Sequence, residues 1–401
     1  MPRVADVPGI IGRSGQTRAP FAREESSVQL TDTSFIGLLA ALAVAAVVAT
    51  VWLMPKVAGG GLRHYAARLG LLVACQLMIV LALAAGVNAY FLFYASWGDL
   101  LADADGGAQV RKGETRKIPR TVLLKRDASE LSADLGITDR KRDGLLEQTV
   151  IEGPRTGLRA DAFVYLPPDY FKPEAAQRRF PVVLVLTGYP GDPKLLVGRQ
   201  EMPKLALEEL RAGRVQPMIY VFVQSTVAPP RDTECTDVPG GPQVETFFAQ
   251  DVPEVLRASY RVAPTRDGWG LMGPSSGGYC AVKLAMRHSD EFAAAGSVSG
   301  YFTAIKDATT GDLWDGSEAL RNENDLIWRL ENRPPPPISV LVASARKGEK
   351  KFPEAEKFVS LVKPPMQVDT AYLPEGGHNF KTFARLWPQT LRWMSGKLQV
   401  K

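Results

Sequence analysis

The chain has 401 residues, 45% of them apolar, and is therefore long enough to bury a full hydrophobic core and to carry additional segments. Its 48 basic and 43 acidic side chains are interspersed and leave a net charge of only +5, a balance that does not indicate a nucleic-acid-binding protein. Three cysteines and three histidines show no metal-ligand spacing, so we predict neither a metal nor a cofactor.

The N-terminal quarter of the chain contains two long uncharged runs. Residues 1–32 are polar and mixed in charge, and we predict that they form a disordered tail. Residues 33–55 and 69–98 contain no charged side chain, and each run exceeds the roughly 20 residues needed to cross a bilayer. Soluble helices of this length normally carry a charged face, so we predict two transmembrane helices rather than two buried core helices.

The segment between the two runs is basic. It contains Lys56, Arg63 and Arg68 and no acidic residue, which by the positive-inside rule indicates a cytoplasmic loop. Both ends of the chain then face outward, and we predict a multi-pass protein of the cell membrane whose large C-terminal region is extracytoplasmic. Arg18 and Arg23 in the N-terminal tail act against this orientation.

Residues 99–144 are charged and without apolar periodicity, and we predict a linker there. From residue 145 onward, short apolar runs alternate with amphipathic segments, which predicts an α/β domain over 145–401 with a mainly parallel sheet. The predicted strands are 145–151, 158–166, 180–186, 218–223, 269–272, 293–298, 338–343 and 366–373, and the main predicted helices are 204–211, 243–257 and 380–398.

One of these strand-to-helix transitions carries a serine between glycines, Gly273-Pro-Ser-Ser-Gly-Gly278. The pattern G-x-S-x-G in this context is typical of a nucleophile elbow, in which a sharp turn exposes the serine hydroxyl above the sheet. Small flanking residues are needed because the turn brings the strand and helix backbones close together. We predict that Ser275 is a nucleophile; the alternative is a glycine-rich turn that only packs a helix on the sheet.

A nucleophilic serine needs a base and an acid, which follow it along the chain in the α/β-hydrolase arrangement. His378 lies in a glycine-containing loop after the last predicted strand and is the predicted general base. Glu349 is the first carboxylate after the strand 338–343 and is the predicted triad acid, with Asp307 and Asp312 as alternatives.

An oxyanion hole is expected from two backbone N–H groups. The residue after the nucleophile supplies one, here Ser276. The loop Leu186-Thr-Gly-Tyr-Pro-Gly-Asp192 follows an earlier strand, and Tyr189 is the predicted second donor. The alternative is that this loop is an ordinary glycine–proline turn.

Two cysteines lie in the C-terminal region. Cys235 follows a predicted strand and Cys280 lies on the predicted elbow helix. In an extracytoplasmic domain a disulfide between them is a reasonable hypothesis, with two buried free thiols as the alternative.

Several segments of the C-terminal region together resemble the esterase D-like branch of the α/β-hydrolases, which includes enterochelin esterases and cell-wall mycolyltransferases. The resembling segments are Val164-Tyr-Leu-Pro-Pro-Asp-Tyr170, Leu184-Val-Leu-Thr-Gly-Tyr189, Gly273-Pro-Ser-Ser-Gly-Gly278 and Gly376-Gly-His-Asn379. The resemblance implies serine-dependent acyl-ester chemistry, with Ser275, Glu349 and His378 at the triad positions. The membrane-anchored arrangement is similar to that of esterase-family proteins of actinobacteria. Mycolyltransferases usually carry alanine where this chain has Gly277, which favours hydrolysis.

Three functions therefore remain open from the sequence. The first is a membrane-anchored, extracytoplasmic serine esterase that hydrolyses carboxylic esters of a small molecule or a lipid through a Ser-His-Glu triad and an acyl-enzyme. The second is an acyltransferase of mycolyltransferase type that moves the acyl group to an envelope carbohydrate. The third is a non-catalytic scaffold with a hydrolase fold.

Overall fold

A computed structural model describes residues 33–91, 123–126, 128–229 and 231–400. The chain divides into two compact units, Met1–Ala104 and Asp105–Lys401. The predicted N-terminal tail, the end of the second predicted span and residues 99–122 of the predicted linker lie outside the described residues.

The first unit contains two long helices, α1 (Thr33–Leu53) and α2 (Leu62–Phe91), joined through a short 3-10 turn. Both are long and apolar enough to cross a membrane, and almost none of their surface is buried within the structure. Helix α2 begins at Leu62, before the apolar run that starts at residue 69, so Arg63 and Arg68 lie within the helix. The guanidinium of Arg68 donates hydrogen bonds to the carbonyls of Val57 and Gly59, at 3.0 and 2.6 Å. The basic loop is therefore shorter than predicted.

The second unit is built on one sheet of nine strands. The strands are β1 (Leu123–Arg126), β2 (Leu145–Glu152), β3 (Arg159–Leu166), β4 (Val182–Leu186), β5 (Ile219–Val223), β6 (Trp269–Pro274), β7 (Ala294–Val298), β8 (Ser339–Lys347) and β9 (Gln367–Glu375). Their order is β1-β2-β3-β5-β4-β6-β7-β8-β9. Strands β1, β2, β3 and β5 pair antiparallel, and every pairing from β5 to β9 is parallel. The α/β architecture with a mainly parallel sheet is confirmed.

Helices lie on both faces of this sheet, and their packing against it forms two hydrophobic cores, one on each face. They are α3 (Ser129–Asp134), α4 (Met202–Arg211), α5 (Val244–Thr246), α6 (Val252–Ser259), α7 (Ser276–Arg287), α8 (Glu318–Asn324), α9 (Leu326–Asn332), α10 (Phe352–Leu361) and α11 (Phe380–Lys397). A π-helical turn, Phe247–Asp251, connects α5 to α6. Every residue of β4, β5, β6 and β7 is buried, which explains why these strands read as continuous apolar runs rather than as alternating patterns.

The sheet unit begins before the predicted boundary at residue 145. Strand β1 pairs with β2 through Leu123↔Ile151 to Arg126↔Gln148, and Leu135 and Ile137 are buried in the core. The prediction of a linker up to residue 144 was therefore wrong for its second half. The reason is that β1 is a short edge strand among charged residues. Its own sequence gives no strand pattern, and it becomes recognisable only through its pairing with β2.

Strand β8 extends beyond the predicted end at Ala343. It pairs with β9 as far as Lys347↔Glu375, because the two strands are in parallel register over nine residues. The extension brings the loops that follow β8 and β9 together at one edge of the sheet. These two loops carry Glu349 and His378.

Candidate active site

Ser275 lies at the junction between strand β6 and helix α7. Its backbone has φ 54° and ψ −127°, a conformation that is strained for any residue with a Cβ. The N–H of Ser275 donates to the carbonyl of Val298 at 3.0 Å, and its own carbonyl accepts from Gly278 N–H at 2.9 Å. Sheet and helix thus hold the serine in this turn, as expected for a nucleophile elbow.

The glycines of the elbow are required by close backbone approach. A Cβ placed on Gly277 would lie 2.4 Å from the carbonyl oxygens of both Leu186 and Thr187. A Cβ on Gly273 would lie 2.5 Å from the Leu186 carbonyl oxygen. The end of strand β4 therefore leaves no room for alanine at residue 277, the substitution usual in mycolyltransferases.

His378 reaches the nucleophile from the loop after β9. Its Nε2 lies 2.9 Å from Ser275 Oγ. The loop is fixed at its start by Gly376 N–H, which donates to the carbonyl of Lys347 at 2.9 Å. On the other side, the imidazole contacts the ring of Phe383 edge-on, with centroids 5.2 Å apart.

Glu349 holds the other nitrogen of the imidazole. Its Oε2 lies 2.8 Å from His378 Nδ1, and the glutamate side chain is only 2% exposed. Burial by itself raises the pKa of Glu349, but the hydrogen bond and charge of His378, with the N–H of Lys351, outweigh it and place the pKa below the ordinary carboxyl value. Glu349 is therefore ionised when its partner histidine is in place.

The protonation pattern of this chain of contacts follows from the carboxylate. An ionised carboxylate can only accept hydrogen bonds, so Nδ1 of His378 carries the hydrogen and donates to Glu349. In the neutral imidazole, Nε2 then has a free lone pair and accepts from the Ser275 hydroxyl. This arrangement can remove the serine proton as the oxygen attacks a carbonyl carbon.

The loop predicted to complete the oxyanion hole packs directly against the elbow. The N–H of Tyr189 donates a hydrogen bond of 2.7 Å to the side-chain Oγ of Ser276, which is 4% exposed. Thr187, at the start of the loop, is held by Ser225, whose hydroxyl donates to the Thr187 carbonyl at 2.8 Å. Both predicted donor residues thus meet beside Ser275.

The alternative acids and the other histidines lie elsewhere. Asp307 accepts hydrogen bonds from Thr309 and Thr310, and Asp312 pairs with Lys306 at 2.8 Å. His288 pairs with Glu245 at 2.8 Å, and His64 belongs to the first unit. Within the described parts of the chain, no group of three or more His, Cys, Asp or Glu side chains is arranged to hold a metal ion.

Cys235 and Cys280 are joined by a disulfide, with Sγ atoms 2.10 Å and Cα atoms 5.7 Å apart. The bond connects the loop after β5 to helix α7, one turn beyond the elbow. Both residues are buried.

Lys283 was not predicted from the sequence to have a structural role. From helix α7 it binds the residues on either side of Cys235 and so strengthens the link between this helix and the loop after β5. Its fully buried ammonium donates to the Glu234 carbonyl at 2.6 Å, to Thr236 Oγ1 at 2.8 Å and to Asn324 Oδ1 at 2.9 Å. Desolvation lowers the pKa of Lys283 to about 8. The signal in the sequence was a lysine between the apolar residues Val282 and Leu284 in the middle of the elbow helix.

A nine-stranded α/β sheet with a serine elbow and a histidine loop defines the class of the protein, the α/β-hydrolases. Residues 153–392, more than half of the chain, match the family described as "Putative esterase". The chain therefore belongs to the esterase family, and the enzyme class is that of the serine hydrolases.

Similar proteins of known sequence include an uncharacterised protein of Corynebacterium glutamicum, 24% identical over 216 residues, which make up 51% of this chain and 50% of that protein. The MPT51 antigen of Mycobacterium leprae is 42% identical over 62 residues, which is 16% of this chain and 20% of the antigen. The chain thus spans half or less of these curated relatives.

Solved structures show the same fold. A ferulic acid esterase superposes with a TM-score of 0.54 at 18% identity, covering 63% of this chain and 98% of that one. An S-formylglutathione hydrolase from Agrobacterium tumefaciens superposes with a TM-score of 0.53 at 14% identity, covering 63% of this chain and 96% of that one.

Proposed function

We propose that this protein is a membrane-anchored, extracytoplasmic serine esterase that hydrolyses carboxylic esters through an acyl-enzyme on Ser275. The observation that carries the proposal is the unbroken contact from Ser275 Oγ to His378 Nε2, at 2.9 Å, and from His378 Nδ1 to Glu349, at 2.8 Å. The same contacts argue against a non-catalytic scaffold, because a scaffold function does not require a serine in a strained backbone conformation with its hydroxyl hydrogen-bonded to a histidine.

The proposed reaction follows the serine-hydrolase sequence. Ser275 Oγ attacks the ester carbonyl while His378 takes its proton, and Glu349 stabilises the imidazolium. The tetrahedral intermediate collapses, the C–O bond to the alcohol breaks, and His378 returns the proton to the leaving oxygen. Water then attacks the acyl carbon while His378 takes its proton, the bond from Ser275 Oγ to the acyl carbon breaks, and His378 returns the proton to Ser275 Oγ as the carboxylic acid leaves.

Acyl transfer differs from hydrolysis only in the second nucleophile, a sugar hydroxyl in place of water. Because mycolyltransferases usually carry alanine at this position, the tight contacts at Gly277 support hydrolysis. Analysis of products formed with and without carbohydrate acceptors separates the two reactions.

The location proposed for the catalytic unit depends on the first unit and on the disulfide. Helices α1 and α2 are long enough to span. Lys56 lies between them, and Arg63 and Arg68 lie in the first turns of α2, so the junction of the two helices is basic, which favours a cytoplasmic position for it. A disulfide between Cys235 and Cys280 supports an oxidising compartment for the second unit.

One labelling experiment tests activity and location together. Intact cells expressing the protein are treated with a membrane-impermeant, sulfonated fluorophosphonate, and lysed cells are treated in parallel. We expect equal labelling of the wild type in both samples and no labelling of Ser275→Ala or His378→Ala. Labelling only after lysis would contradict the location, and a folded wild type that is never labelled would contradict the esterase function.

A further inference from the structure

We propose that the side-chain hydroxyl of Ser276 is a direct donor in the oxyanion hole and that Tyr189 N–H acts through it. The proposal rests on the proposed esterase function and assigns a further catalytic residue to the same site. It differs from the arrangement predicted from the sequence, in which both donors are backbone N–H groups.

The starting point is the position of the Ser276 hydroxyl. It is adjacent to the nucleophile in the chain, it is 4% exposed, and its Oγ accepts the hydrogen bond of Tyr189 N–H at 2.7 Å. The backbone group expected to bind the carbonyl oxygen of the substrate is therefore already bonded to a neighbouring hydroxyl.

A hydroxyl can accept hydrogen bonds and still donate one. Ser276 Oγ accepts from Tyr189, and among the described residues no acceptor is found for its own O–H. A buried donor left without a partner is energetically unfavourable. An oxyanion formed on the carbon attacked by Ser275 would supply the missing acceptor.

The backbone of Ser276 provides the companion donor. Ser276 is the first residue of helix α7, where backbone N–H groups have no acceptor within the helix. The oxyanion would then accept from the N–H and the O–H of the same residue. No proton is transferred in this step, because both contacts are hydrogen bonds to a negatively charged oxygen.

Direct binding of the oxyanion to Tyr189 N–H would first require its bond to Ser276 to break. If the hydroxyl stays in place, that bond is kept and polarises the O–H further. The loop that carries Tyr189 is a rigid support for this purpose, because Thr187 N–H donates to the Val223 carbonyl at 3.2 Å and Ser225 N–H donates to Thr187 Oγ1 at 3.1 Å.

The test compares Ser276→Ala with Ser297→Ala in the full-length protein, using a p-nitrophenyl ester. Ser297 is the matched control because its hydroxyl is buried beneath the elbow and has no hydrogen-bond partner among the described residues. We expect Ser276→Ala to lower kcat about 10²-fold with little change in KM, as for other oxyanion donors. Ser297→Ala should stay within about twofold of the wild type, as is usual for substitutions that remove no interaction.

A second measurement separates donation to oxygen from a structural effect. The corresponding thionoester develops its charge on sulfur, a weak hydrogen-bond acceptor, so it gains less from a hydroxyl donor. We expect the ratio of ester to thionoester rates to fall in Ser276→Ala and to stay constant in Ser297→Ala. A merely misfolded site would slow both substrates alike.

The outcomes distinguish this inference from the function on which it rests. An active wild type with an equally active or faster Ser276→Ala variant would show that the hydroxyl only fills the hole, and the inference would be wrong. If the folded wild type showed neither turnover nor phosphonate labelling, the proposed esterase function itself would be contradicted.

Discussion

Glu349 contacts His378 because two turns meet. Gly348, with φ 91°, ends strand β8 so closely against the histidine loop that a Cβ there would lie 2.8 Å from the Gly376 carbonyl oxygen. This contact sets Glu349 under the imidazole of His378.

We predict that Glu349→Gln lowers kcat by about 10³–10⁴-fold, because an amide can donate to Nδ1 and hold the wrong tautomer of His378. The check is steady-state hydrolysis of a p-nitrophenyl ester together with a thermal melt. Glu356→Gln is the control, since Glu356 makes only an exposed ion pair with Arg346, at 3.8 Å, and should change neither value. Full activity of Glu349→Gln with loss of activity in Asp307→Asn would move the acid to Asp307.

At this scale the structure brings together the three residues that the sequence predicted, Ser275, His378 and Glu349, and their catalytic roles stay predictions. The elbow, the single histidine in a loop after the last strand and the first carboxylate after β8 are local patterns. The contact of Tyr189 N–H with the Ser276 hydroxyl and the burial of Lys283 were not predictable in the same way, because both depend on which loop lies over helix α7.

Helices α4 and α11 are joined across one face of the sheet by a carboxylate. Glu209 on α4 is 3% exposed and accepts two hydrogen bonds from Arg392 on α11, at 2.7 and 3.0 Å, and two from Arg214 at the same distances. Arg392 and Arg214 lower the pKa of Glu209 to about 2. Helix α11 directly follows the loop that carries His378.

We predict that Glu209→Gln lowers the free energy of unfolding by about 1–2 kcal/mol at pH 7, since both arginines are partly exposed and solvent screens them. The folded pKa, about 2, lies below the unfolded value of 4.5. The contribution is therefore complete above about pH 4.5 and is lost as the pH falls toward 2.

Urea unfolding in detergent at several pH values measures this effect. The difference between wild type and Glu209→Gln should shrink as the pH decreases from 5. The neighbouring, exposed Glu208 gives the control variant Glu208→Gln, which should match the wild type throughout. A difference independent of pH would show that the carboxylate charge does not stabilise the helix pair.

Elements with a clear apolar pattern were predicted within a few residues, whether the pattern is a continuous run, as in β4 and β5, or periodic, as in β3 and α11. The short helices α3, α8 and α9 were not predicted. Each is only six or seven residues long, which is too short to show amphipathic periodicity.

For the molecule as a whole, the disulfide fixes a long segment of chain to the elbow helix. Cys235 and Cys280 are separated by 45 residues, and the segment between them includes β6 and Ser275. Cross-linking a loop of this length restricts the unfolded chain, which in the chain-entropy account stabilises the fold by about 4 kcal/mol.

We therefore predict that the double variant Cys235→Ser/Cys280→Ser has a clearly lower melting temperature than the wild type and that reductant lowers the wild type to the same value. Cys75→Ser, which changes the one free cysteine of the described residues, in helix α2, should have no effect on the melting of the catalytic unit. Three thiols titrated in the denatured, unreduced protein would contradict the disulfide.

The sequence by itself determined the α/β class, the buried parallel strands and the identity of the candidate nucleophile, base and acid, because each depends on local spacing and hydrophobic pattern. The tertiary structure decided which residues share the site. It did so through the extension of β8 alongside β9, the close approach of β4 to Gly277 and the position of the Ser276 hydroxyl next to Tyr189 N–H. It also brought β1 into the sheet and gave Lys283 its partners. These features arise from contacts between segments far apart in the chain, and local patterns do not encode the distances between such segments.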